Sequence, residues 1–487
     1  MILLQLFFLL SAHAATDLIL YNGRVLTGPA TQNKWAAAVS VSDGMVRKTG
    51  GNSEVLKDKD EKTVLIDLKG RVVLPGFNDA HLHIFTGGLS LGRLDLTGVK
   101  SLEEFKARLR TYDKKHQGTA WIFGLGWDHT AFKNPVYPSR QDLDSVVANR
   151  PVFLWHIDEH FAVVNTKALE ILKIDRNTED PDAGKILKDA SGNPTGMLIE
   201  TAAAIQSHKV DNPTPSELKN AFIAAQREAL KVGLTSIQGG FTHREHENYI
   251  RVVESLHKEG LLKLRVGYWG ELEDPAAFLS HKNKFKHIPE SVLKFTHIKG
   301  FVDGVISSYT AALRSAYSDN PKTSGPANYP AEKLDELVLS ANKEGIAVAL
   351  HAIGDRAVDM AVTAFEKSRA AIPGFSLRNR IEHLELGFLE AYPRMQKAGI
   401  VASVQPSHMI YDTEAESYND ARLGAKRVQL AFAWKNLLDH NVHTAFGTDW
   451  TVMPLNPMVG HMGAVYRRHY NGKPAEGWGP KQKITMA

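Results

Sequence analysis

The spacing of hydrophobic positions changes after about residue 75, and this change divides the chain into two parts. Residues 17–75 contain short strand-like apolar runs, separated by the turn pairs Asn22-Gly23, Asp43-Gly44 and Lys69-Gly70. Such pairs are typical of tight turns between antiparallel strands. The pattern therefore predicts a small antiparallel β unit over residues 15–75.

Beyond this unit, apolar strand-like segments alternate with amphipathic helical segments. In residues 354–371, for example, Val358, Val362 and Phe365 recur at helical spacing and form one apolar stripe. This alternation favours an α/β fold, a (β/α)8 TIM-like barrel over residues 76–475. The eight predicted strands are the segment that contains His81 and His83, and the segments 234–240, 263–270, 294–304, 346–354, 379–386, 399–408 and 442–450.

One long stretch interrupts the strand–helix alternation. Residues 95–213, between the first and second predicted strands, are rich in Trp, Pro, Asp and Gly. Active sites of such barrels lie at the carboxyl ends of the strands. We interpret the stretch as an insertion that forms a lid over this mouth of the barrel.

Composition excludes several classes of partner and chemistry. The 487-residue chain carries 58 basic and 54 acidic residues, a net charge of +4, which argues against binding to nucleic acid or to an anionic membrane. The sequence contains no cysteine, so thiolate metal ligands and cysteine nucleophiles are excluded. No segment after the N-terminus approaches the apolar length of a membrane span.

The N-terminus has the character of a targeting segment. Residues 1–14, MILLQLFFLLSAHA, form a short apolar run that ends in Ala12-His13-Ala14, similar to a signal-peptide core followed by its cleavage site. This predicts cleavage after Ala14 and an exported product, periplasmic or extracellular. The alternative is a buried first strand, but residues 16–28 already have the pattern of that strand.

Polar residues lie at matching places on the predicted barrel strands. Each is embedded in an apolar run, where a bare polar group would be costly. Two histidines separated by one residue in a strand project from the same face. Imidazoles together with a carboxylate suit a borderline divalent ion, most often zinc. The predicted metal ligands are His81, His83, Lys299, His351, His383 and Asp449.

Lys299 is the unusual member of this set, because an ammonium group repels a cation. Burial disfavours the charged form of a lysine. The neutral amine can then react with carbon dioxide, and the resulting anionic carbamate can bridge two metal ions. The alternative is an ordinary ion pair with a neighbour such as Asp303, since buried charges are usually paired.

A second set of residues is predicted to contact substrate. Trp127, Asp128 and His160 lie in the insertion, and polar residues of loops often only satisfy backbone groups, so a structural role is the alternative for each. Tyr309 follows the fourth strand and could donate to an oxyanion. Gln405 and His408 lie at the end of the seventh strand and could hydrogen-bond to substrate.

Six motifs together resemble the amidohydrolase superfamily, and in particular the family 3 branch similar to N-substituted formamide deformylase. The resemblance extends from about residue 17 to the end of the chain, with the motifs in family order. They are PGFNDAHLH, HIKGFVDG, LHAIGDRAVD, RIEHLE, SVQPSH and FGTDWTVMPLNPM.

The resemblance implies a distorted barrel and a small β-sandwich built from both ends of the chain. Relatives continue beyond the last residues of this sequence, so we expect residues 476–487 to be the truncated start of a C-terminal region, with half of the sandwich missing. The resemblance also implies that His81 and His83 bind one metal ion, that His351 and His383 bind a second, and that carboxylated Lys299 bridges them. Asp449 would bind metal and act as the general base.

The leading functional hypothesis is therefore a metal-dependent hydrolase that cleaves a small, non-peptide amide-type C–N bond with a metal-activated water. One alternative is a mononuclear deaminase of a heterocycle, which does not need the strand-4 lysine. Another is a non-catalytic exported binding protein or an inactive fragment. The expected partners are a small-molecule substrate and, in a homo-oligomer, further copies of the chain.

Overall fold

The computed structural model describes residues 16–28, 34–117, 121–156, 161–181, 184–240, 246–410 and 418–485. The chain divides into two compact units, Met1–Phe77 with Ile484–Ala487, and Asn78–Lys483. The predicted signal peptide, residues 1–14, lies outside the described residues. Within the described part of the chain, every helix is too short or too polar to cross a membrane.

The first unit contains two small sheets. Its elements are β1 (Leu18–Tyr21), β2 (Arg24–Leu26), β3 (Trp35–Ala36), β4 (Ala38–Ser42), β5 (Met45–Gly50), α1 (Asn52–Val55), β6 (Val64–Asp67) and β7 (Val72–Val73). The strand orders are β5-β4-β1-β6 and β3-β2-β7. The sheets are mixed, because β1 pairs with β6, and β2 with β7, in parallel. The prediction of an antiparallel unit is wrong for these two pairings, whereas β1–β4, β2–β3 and β4–β5 are antiparallel.

The predicted turns of this unit are present. Asn22, Asp43 and Lys69 all adopt left-handed backbone conformations, with φ of 62°, 51° and 50°. Val25 of one sheet and Val39 of the other share a buried cluster. The sandwich completed by a C-terminal half stays a prediction.

The insertion is an α/β layer with its own core. Strand β8 (Phe77–Asp79) and helix α2 (Ile84–Leu91) precede it. Its sheet has the order β13-β14-β12-β11-β10-β9. Phe105, Leu109, Trp127 and Leu154 are fully buried in its core. The elements are β9 (Leu94–Asp95), α3 (Leu102–Lys115), β10 (Ile122–Trp127), α4 (Arg140–Asp144), β11 (Val152–His156), β12 (Phe161–Val164), α5 (Thr166–Leu172), β13 (Gly184–Lys188), β14 (Pro194–Glu200) and α6 (Thr201–Val210).

The remaining strands complete a barrel with β8. The sheet order is β21-β20-β19-β18-β17-β16-β15-β8, and neighbours from β15 to β21 pair in parallel. The backbone N–H of Ala80 donates to Phe446 O (3.1 Å), so the first and last strands nearly close the ring. The predicted eight-stranded barrel is confirmed. Its strands are β15 (Leu234–Gly240), β16 (Arg265–Glu271), β17 (Leu293–Phe301), β18 (Ala347–Ala352), β19 (Arg380–His383), β20 (Val401–Val404) and β21 (Thr444–Phe446).

Helices follow the strands and bury their apolar stripes. The capping box of Thr214 and Glu217 begins α7. Val358, Val362 and Phe365 of α11 are all buried, as the periodicity predicts. The helices are α7 (Pro215–Lys231), α8 (His246–Lys258), α9 (Pro275–Lys284), α10 (Ala331–Lys343), α11 (Asp355–Ala371), α12 (Ala391–Ala398), α13 (Ser407–Ile410), α14 (Tyr418–Arg427), α15 (Trp434–Asp439) and α16 (Pro457–Tyr466).

Candidate metal centre and active site

His81 and His83 lie in the loop after β8, not in the strand. Strand β8 ends at Asp79, so the prediction that strand alternation places both rings on one face is wrong. The rings nevertheless meet at one carboxylate. The Nε2 atoms of His81 and His83 lie 3.5 Å and 3.0 Å from Asp449 Oδ1. The loop conformation, rather than the strand pleat, brings the two imidazoles together.

Backbone hydrogen bonds hold this loop against the ends of neighbouring strands. Leu82 N–H donates to Gln238 O at the end of β15 (3.0 Å), and Asp449 N–H donates to His81 O (2.7 Å). Asp79 accepts hydrogen bonds from the N–H groups of His81 and Thr448 and from the Thr448 hydroxyl. The segments that carry His81 and Asp449 are therefore fixed to each other.

Asp449 is surrounded by four histidines. Besides His81 and His83, His408 Nε2 lies 3.2 Å and His383 Nδ1 3.9 Å from Asp449 Oδ2. Both Asp449 (φ 56°) and His383 (φ 72°) have left-handed backbones, which are strained for residues other than glycine. Such strain is typical of functional sites.

The remaining predicted ligands, His351, His383 and Lys299, line the same cavity as His81, His83 and Asp449. The rings of His351 and His383 are 4.5 Å apart, and those of His81 and His383 are 5.0 Å apart. Lys299 Nζ lies 5.5 Å from the ring centre of Trp269. A cavity of about 530 Å³ at the carboxyl ends of the barrel strands is lined by all six predicted ligands: His81, His83, Lys299, His351, His383 and Asp449.

Hydrogen bonds determine which nitrogen each of two histidines offers to a metal. Glu382 is a carboxylate and only accepts, so His81 Nδ1–H donates to its Oε2 (2.6 Å) and the His81 Nε2 lone pair is free to bind. His351 Nε2–H donates to Gly304 O (3.0 Å), which leaves Nδ1 as the ligand atom. Second-layer bonds of this kind are typical of metal-binding histidines.

The protonation states of these side chains are suitable for binding a divalent cation. Burial is the main cause that lowers the pKa of His81 to about 4 and of His351 to about 3, so both rings are neutral near pH 7. Burial would raise the pKa of Asp449, but the adjacent imidazoles hold it well below its usual range. His383 Nδ1 is buried without a hydrogen-bond partner among the described residues, and a metal ion would satisfy this atom.

Lys299 is buried without a direct ion pair among the described residues. Burial is the main cause that lowers the pKa of its amine to about 8. Asp303, its predicted alternative partner, instead accepts backbone hydrogen bonds from Ala312, Ile353 and Gly354. No carboxylate of the described residues lies within ion-pair distance of Lys299 Nζ. The alternative of a Lys299–Asp303 ion pair is wrong.

The family follows from this site together with the sequence. The model of an amidohydrolase family, Amidohydro_3, matches residues 64–487. This chain belongs to that family. It is accordingly a metal-dependent hydrolase of the class that acts on carbon–nitrogen bonds, and His/Asp groups that can hold a divalent metal lie in its barrel.

Individual relatives agree with the family. This amidohydrolase is 32% identical over 439 residues to YtcJ of Bacillus subtilis (strain 168), a protein named as an amidohydrolase, covering 88% of this chain and 80% of YtcJ. It is 26% identical to the N-substituted formamide deformylase of Arthrobacter pascens, covering 96% and 86%. A solved metal-dependent hydrolase from Pyrococcus furiosus superposes with a TM-score of 0.76 at 29% identity, covering 94% and 90%.

Sequence reasoning overlooked a buried ion network behind the ligands of this amidohydrolase. Glu382, which holds His81, also pairs with Arg380. Arg380 donates to Ala80 O (2.7 Å) and Ser403 Oγ (2.6 Å). Burial would raise the pKa of Glu382, but Arg380 and His81 lower it well below the usual range. The motif RIEHLE contained a signal for this network. It has two charged residues, Arg380 and Glu382, beside a predicted ligand in a buried strand, and buried charges are usually paired.

His408 lies between two carboxylates of the site, a position that the sequence did not indicate. Its Nδ1–H donates to Glu385 Oε1 (3.0 Å), and its Nε2 faces Asp449. Burial opposes the charge, but these two carboxylates raise the pKa of His408 to about 10. His408 and Glu385 both line the cavity, so the site contains a protonated imidazole beside the carboxylate of Asp449.

Three of the residues predicted to contact substrate lie away from the cavity lining. Trp127 is buried in the insertion core and its indole donates to Leu154 O (3.0 Å). The Tyr309 hydroxyl donates to Asp319 (3.2 Å) and accepts from Arg422 (2.5 Å). Gln405 is buried behind the end of β20. Among the described residues, none of these three lines the cavity, so the predicted contacts gain no support from this placement.

The remaining predicted contacts lie in the insertion. His160 falls outside the described residues. Asp128 lies 3.6 Å from His156 Nε2, within the insertion itself. The described residues of the insertion contribute nothing to the lining of the barrel cavity. The lid over the barrel mouth therefore stays a prediction.

Proposed function

We propose that this amidohydrolase cleaves an amide-type C–N bond of a small, non-peptide substrate, with two zinc ions bridged by carboxylated Lys299. The observation that carries the proposal is the environment of Lys299. It is buried, lacks an ion pair among the described residues, and shares a cavity wall with His81, His351 and Asp449. A lysine that only stabilised the fold would be expected to form a direct ion pair with a buried carboxylate.

The burial of Lys299 supports carboxylation. Its amine lies between the rings of Trp269 and Phe301, with 5.1 Å from Nζ to the Phe301 ring centre. Because its pKa is about 8, a substantial fraction of the amine is neutral near pH 7.5 and can attack carbon dioxide. The new N–C bond forms as the nitrogen loses a proton, and the product is an anionic carbamate. This anion would supply the oxygen ligands that the ammonium cannot.

Divalent ions held by this ligand set would lower the pKa of a water molecule and polarise a carbonyl group. Asp449 is ionised and lies between both pairs of histidines, so it is placed to take a proton from that water as general base. The oxygen of the deprotonated water would form a bond to the carbonyl carbon, and Asp449 would then pass the proton to the leaving nitrogen as the C–N bond breaks. The products are a carboxylic acid and an amine.

Protonated His408 is placed to assist at the carbonyl group. Its Nε2 lies 3.2 Å from Asp449 Oδ2 and it lines the cavity, so it can donate to an oxygen that becomes negative during the reaction. Glu385 holds the other ring nitrogen and fixes the orientation of the ring. His408 therefore replaces Tyr309 as the candidate donor to the oxyanion.

The cavity wall indicates the type of substrate. Besides the ligands and a few other polar residues, apolar side chains contribute much of the cavity lining. A volume of about 530 Å³ suits a small molecule rather than a folded protein chain. We therefore propose a partly hydrophobic amide, whose apolar substituent packs against Phe301, Val305, Ile306, Ile353, Val452 and Met453.

Lys299→Ala tests this proposal, with Lys294→Ala as the matched control. Lys294 lies on the same strand, β17, but is exposed. Metal content per chain is measured by elemental analysis after purification in bicarbonate without chelators. We expect Lys299→Ala to hold at least one ion fewer than the wild type and to lose amide hydrolysis, and Lys294→Ala to change neither.

Chemical rescue separates carboxylation from a packing role of Lys299. A short carboxylic acid added to Lys299→Ala can occupy the space of the carbamate, and we expect it to restore part of the metal content and hydrolysis. Unchanged metal content in Lys299→Ala would contradict the bridged centre and favour the mononuclear deaminase alternative. A metal-loaded wild type without hydrolysis of any member of a broad amide panel would contradict the proposed reaction.

A further inference from the structure

A second group of metal-ligand side chains lies in the insertion, at the ends of two neighbouring strands. Strands β10 and β11 pair in parallel, with Trp127 opposite His156. Asp128 and His129 directly follow β10, and His156 is the last residue of β11. Because parallel strands end at the same edge of a sheet, the three side chains meet there.

The three side chains are close enough to share one ion. One ligand atom from each of Asp128, His129 and His156 lies within 4.8 Å of the others. Asp128 Oδ1 lies 3.6 Å from His156 Nε2, and the centres of the two imidazole rings are 5.5 Å apart. Ligand atoms around a tetrahedral metal with bonds of about 2.0–2.2 Å lie about 3.4 Å apart, and the distance between Asp128 Oδ1 and His156 Nε2 is already close to this spacing.

Aromatic rings hold the two imidazoles in place. Phe161 stacks on His156, and Tyr137 stacks on His129, each with ring centres 4.0 Å apart. The indole of Trp127 meets His156 edge-on at 4.8 Å. These contacts limit ring rotation and exclude water from one side, so less conformational freedom is lost when an ion binds.

We propose that Asp128, His129 and His156 form a second divalent-cation site, separate from the barrel centre. Two imidazoles and one carboxylate match the donor preference of zinc-like ions rather than of calcium or magnesium. Three protein ligands leave a further coordination position open. An ion here would join the ends of β10 and β11. None of the three residues lines the barrel cavity, so the two sites have no ligand in common.

Zinc binding by substituted proteins tests the site. In equilibrium dialysis, Asp128→Asn and His129→Gln should each bind one zinc ion fewer per chain than the wild type. His116→Gln is the matched control, because His116 stacks on Tyr112 at 4.1 Å as His129 stacks on Tyr137, but is not part of the cluster. The loss should add to the loss caused by Lys299→Ala. An unchanged zinc count in both cluster variants would overturn the proposal.

A measurement on the unmodified protein covers the case in which the variants fail to fold. Diethyl pyrocarbonate modifies accessible histidines, and mass spectrometry of peptides assigns each modification. We expect zinc to protect His129 in the full-length wild type several-fold, and to leave His116 unprotected. Equal modification of His129 with and without zinc would overturn the site. Because the readout is specific to residues of the insertion, failure here is distinguishable from failure of the barrel centre.

Discussion

At the scale of single residues, the site depends on which atom each side chain offers. His81 offers its Nε2 lone pair to a metal ion because its Nδ1–H donates a hydrogen bond to Glu382, and Glu382 stays ionised because Arg380 lies beside it. The orientation of His81 thus depends on two further buried residues, Glu382 and Arg380, that are linked to it in series. Removal of a group that never contacts the metal should weaken metal binding.

Glu382→Gln should weaken zinc binding by about 10- to 100-fold, since the loss of a second-layer partner lets the His81 ring turn and change tautomer. It should also lower the free energy of unfolding by about 3–5 kcal/mol, because the charge of Arg380 remains buried without its partner. Zinc affinity is measured by competition with a chromophoric chelator at a temperature where the variant is folded.

Ser403→Ala is the control for this experiment. It removes a hydrogen bond from Arg380 (2.6 Å) but leaves the bond between Glu382 and His81 in place. We expect a lower unfolding free energy with zinc affinity near that of the wild type. If both variants lost affinity equally, general loosening of the barrel rather than the orientation of His81 would explain the effect.

At the scale of elements, the ligand loops depend on close approach between strand ends. A Cβ atom built on Gly447, just after β21, would lie 2.6 Å from His81 N and 2.9 Å from His81 Cβ. A Cβ atom on Gly239 in β15 would lie 2.0 Å from Leu82 O. Only glycine lets both strands reach the loop that carries His81 and His83.

Gly447→Ala should therefore reduce zinc affinity and hydrolysis at least tenfold, a change of about 1.4 kcal/mol or more, although Gly447 carries no ligand atom. The added methyl group must displace the backbone of His81. Gly92→Ala is the control, because a Cβ atom there meets only Leu89 O at 3.5 Å, an ordinary contact. Zinc titration and circular dichroism of both variants are the measurements. Unaltered affinity in a folded Gly447→Ala would contradict this account of the loop.

At the scale of the whole molecule, the metal centre joins distant parts of the chain. His81 and Glu382 are 301 residues apart in sequence, and Asp79 and Thr448 are 369 apart. An ion that binds only the folded barrel therefore stabilises the closure of the ring formed by its first and last strands. Its binding free energy becomes part of the folding free energy.

Removal of metal with a chelator should lower the Tm, and zinc at 100 times its Kd should restore about 2.7 kcal/mol of stability. At His81 and His351, protons compete with zinc as the pH falls through the folded-state pKa values, which are about 4 and about 3. The zinc-dependent Tm shift should therefore persist at pH 5.5 and disappear towards pH 4. Thermal scans across this range test it, with magnesium as the control that should not restore the Tm. A shift that vanished near pH 6.5 would contradict the lowered pKa values.

Much of the barrel could be predicted because its signals are local. The boundaries of β15 match the predicted segment 234–240, and the stripe of α11 is buried as its spacing indicates. Periodicity reports which face of an element is apolar, and that face must be buried. The mixed pairing of the first unit could not be predicted in the same way, because β1 and β6 are far apart in sequence.

The sequence by itself determined the residue types of the site and their order along the chain, because histidines, a lysine and an aspartate in apolar runs need polar partners. Only the tertiary structure decided how they meet. In the structure, His81 and His83 lie in a loop rather than in a strand, and Asp303 does not pair with Lys299. Glu382 accepts a hydrogen bond from His81, and His408 lies between Glu385 and Asp449. It also gathered Asp128, His129 and His156 at one sheet edge. The reason is physical: composition and spacing report what a segment must bury, whereas distances between ligand atoms depend on contacts between segments hundreds of residues apart.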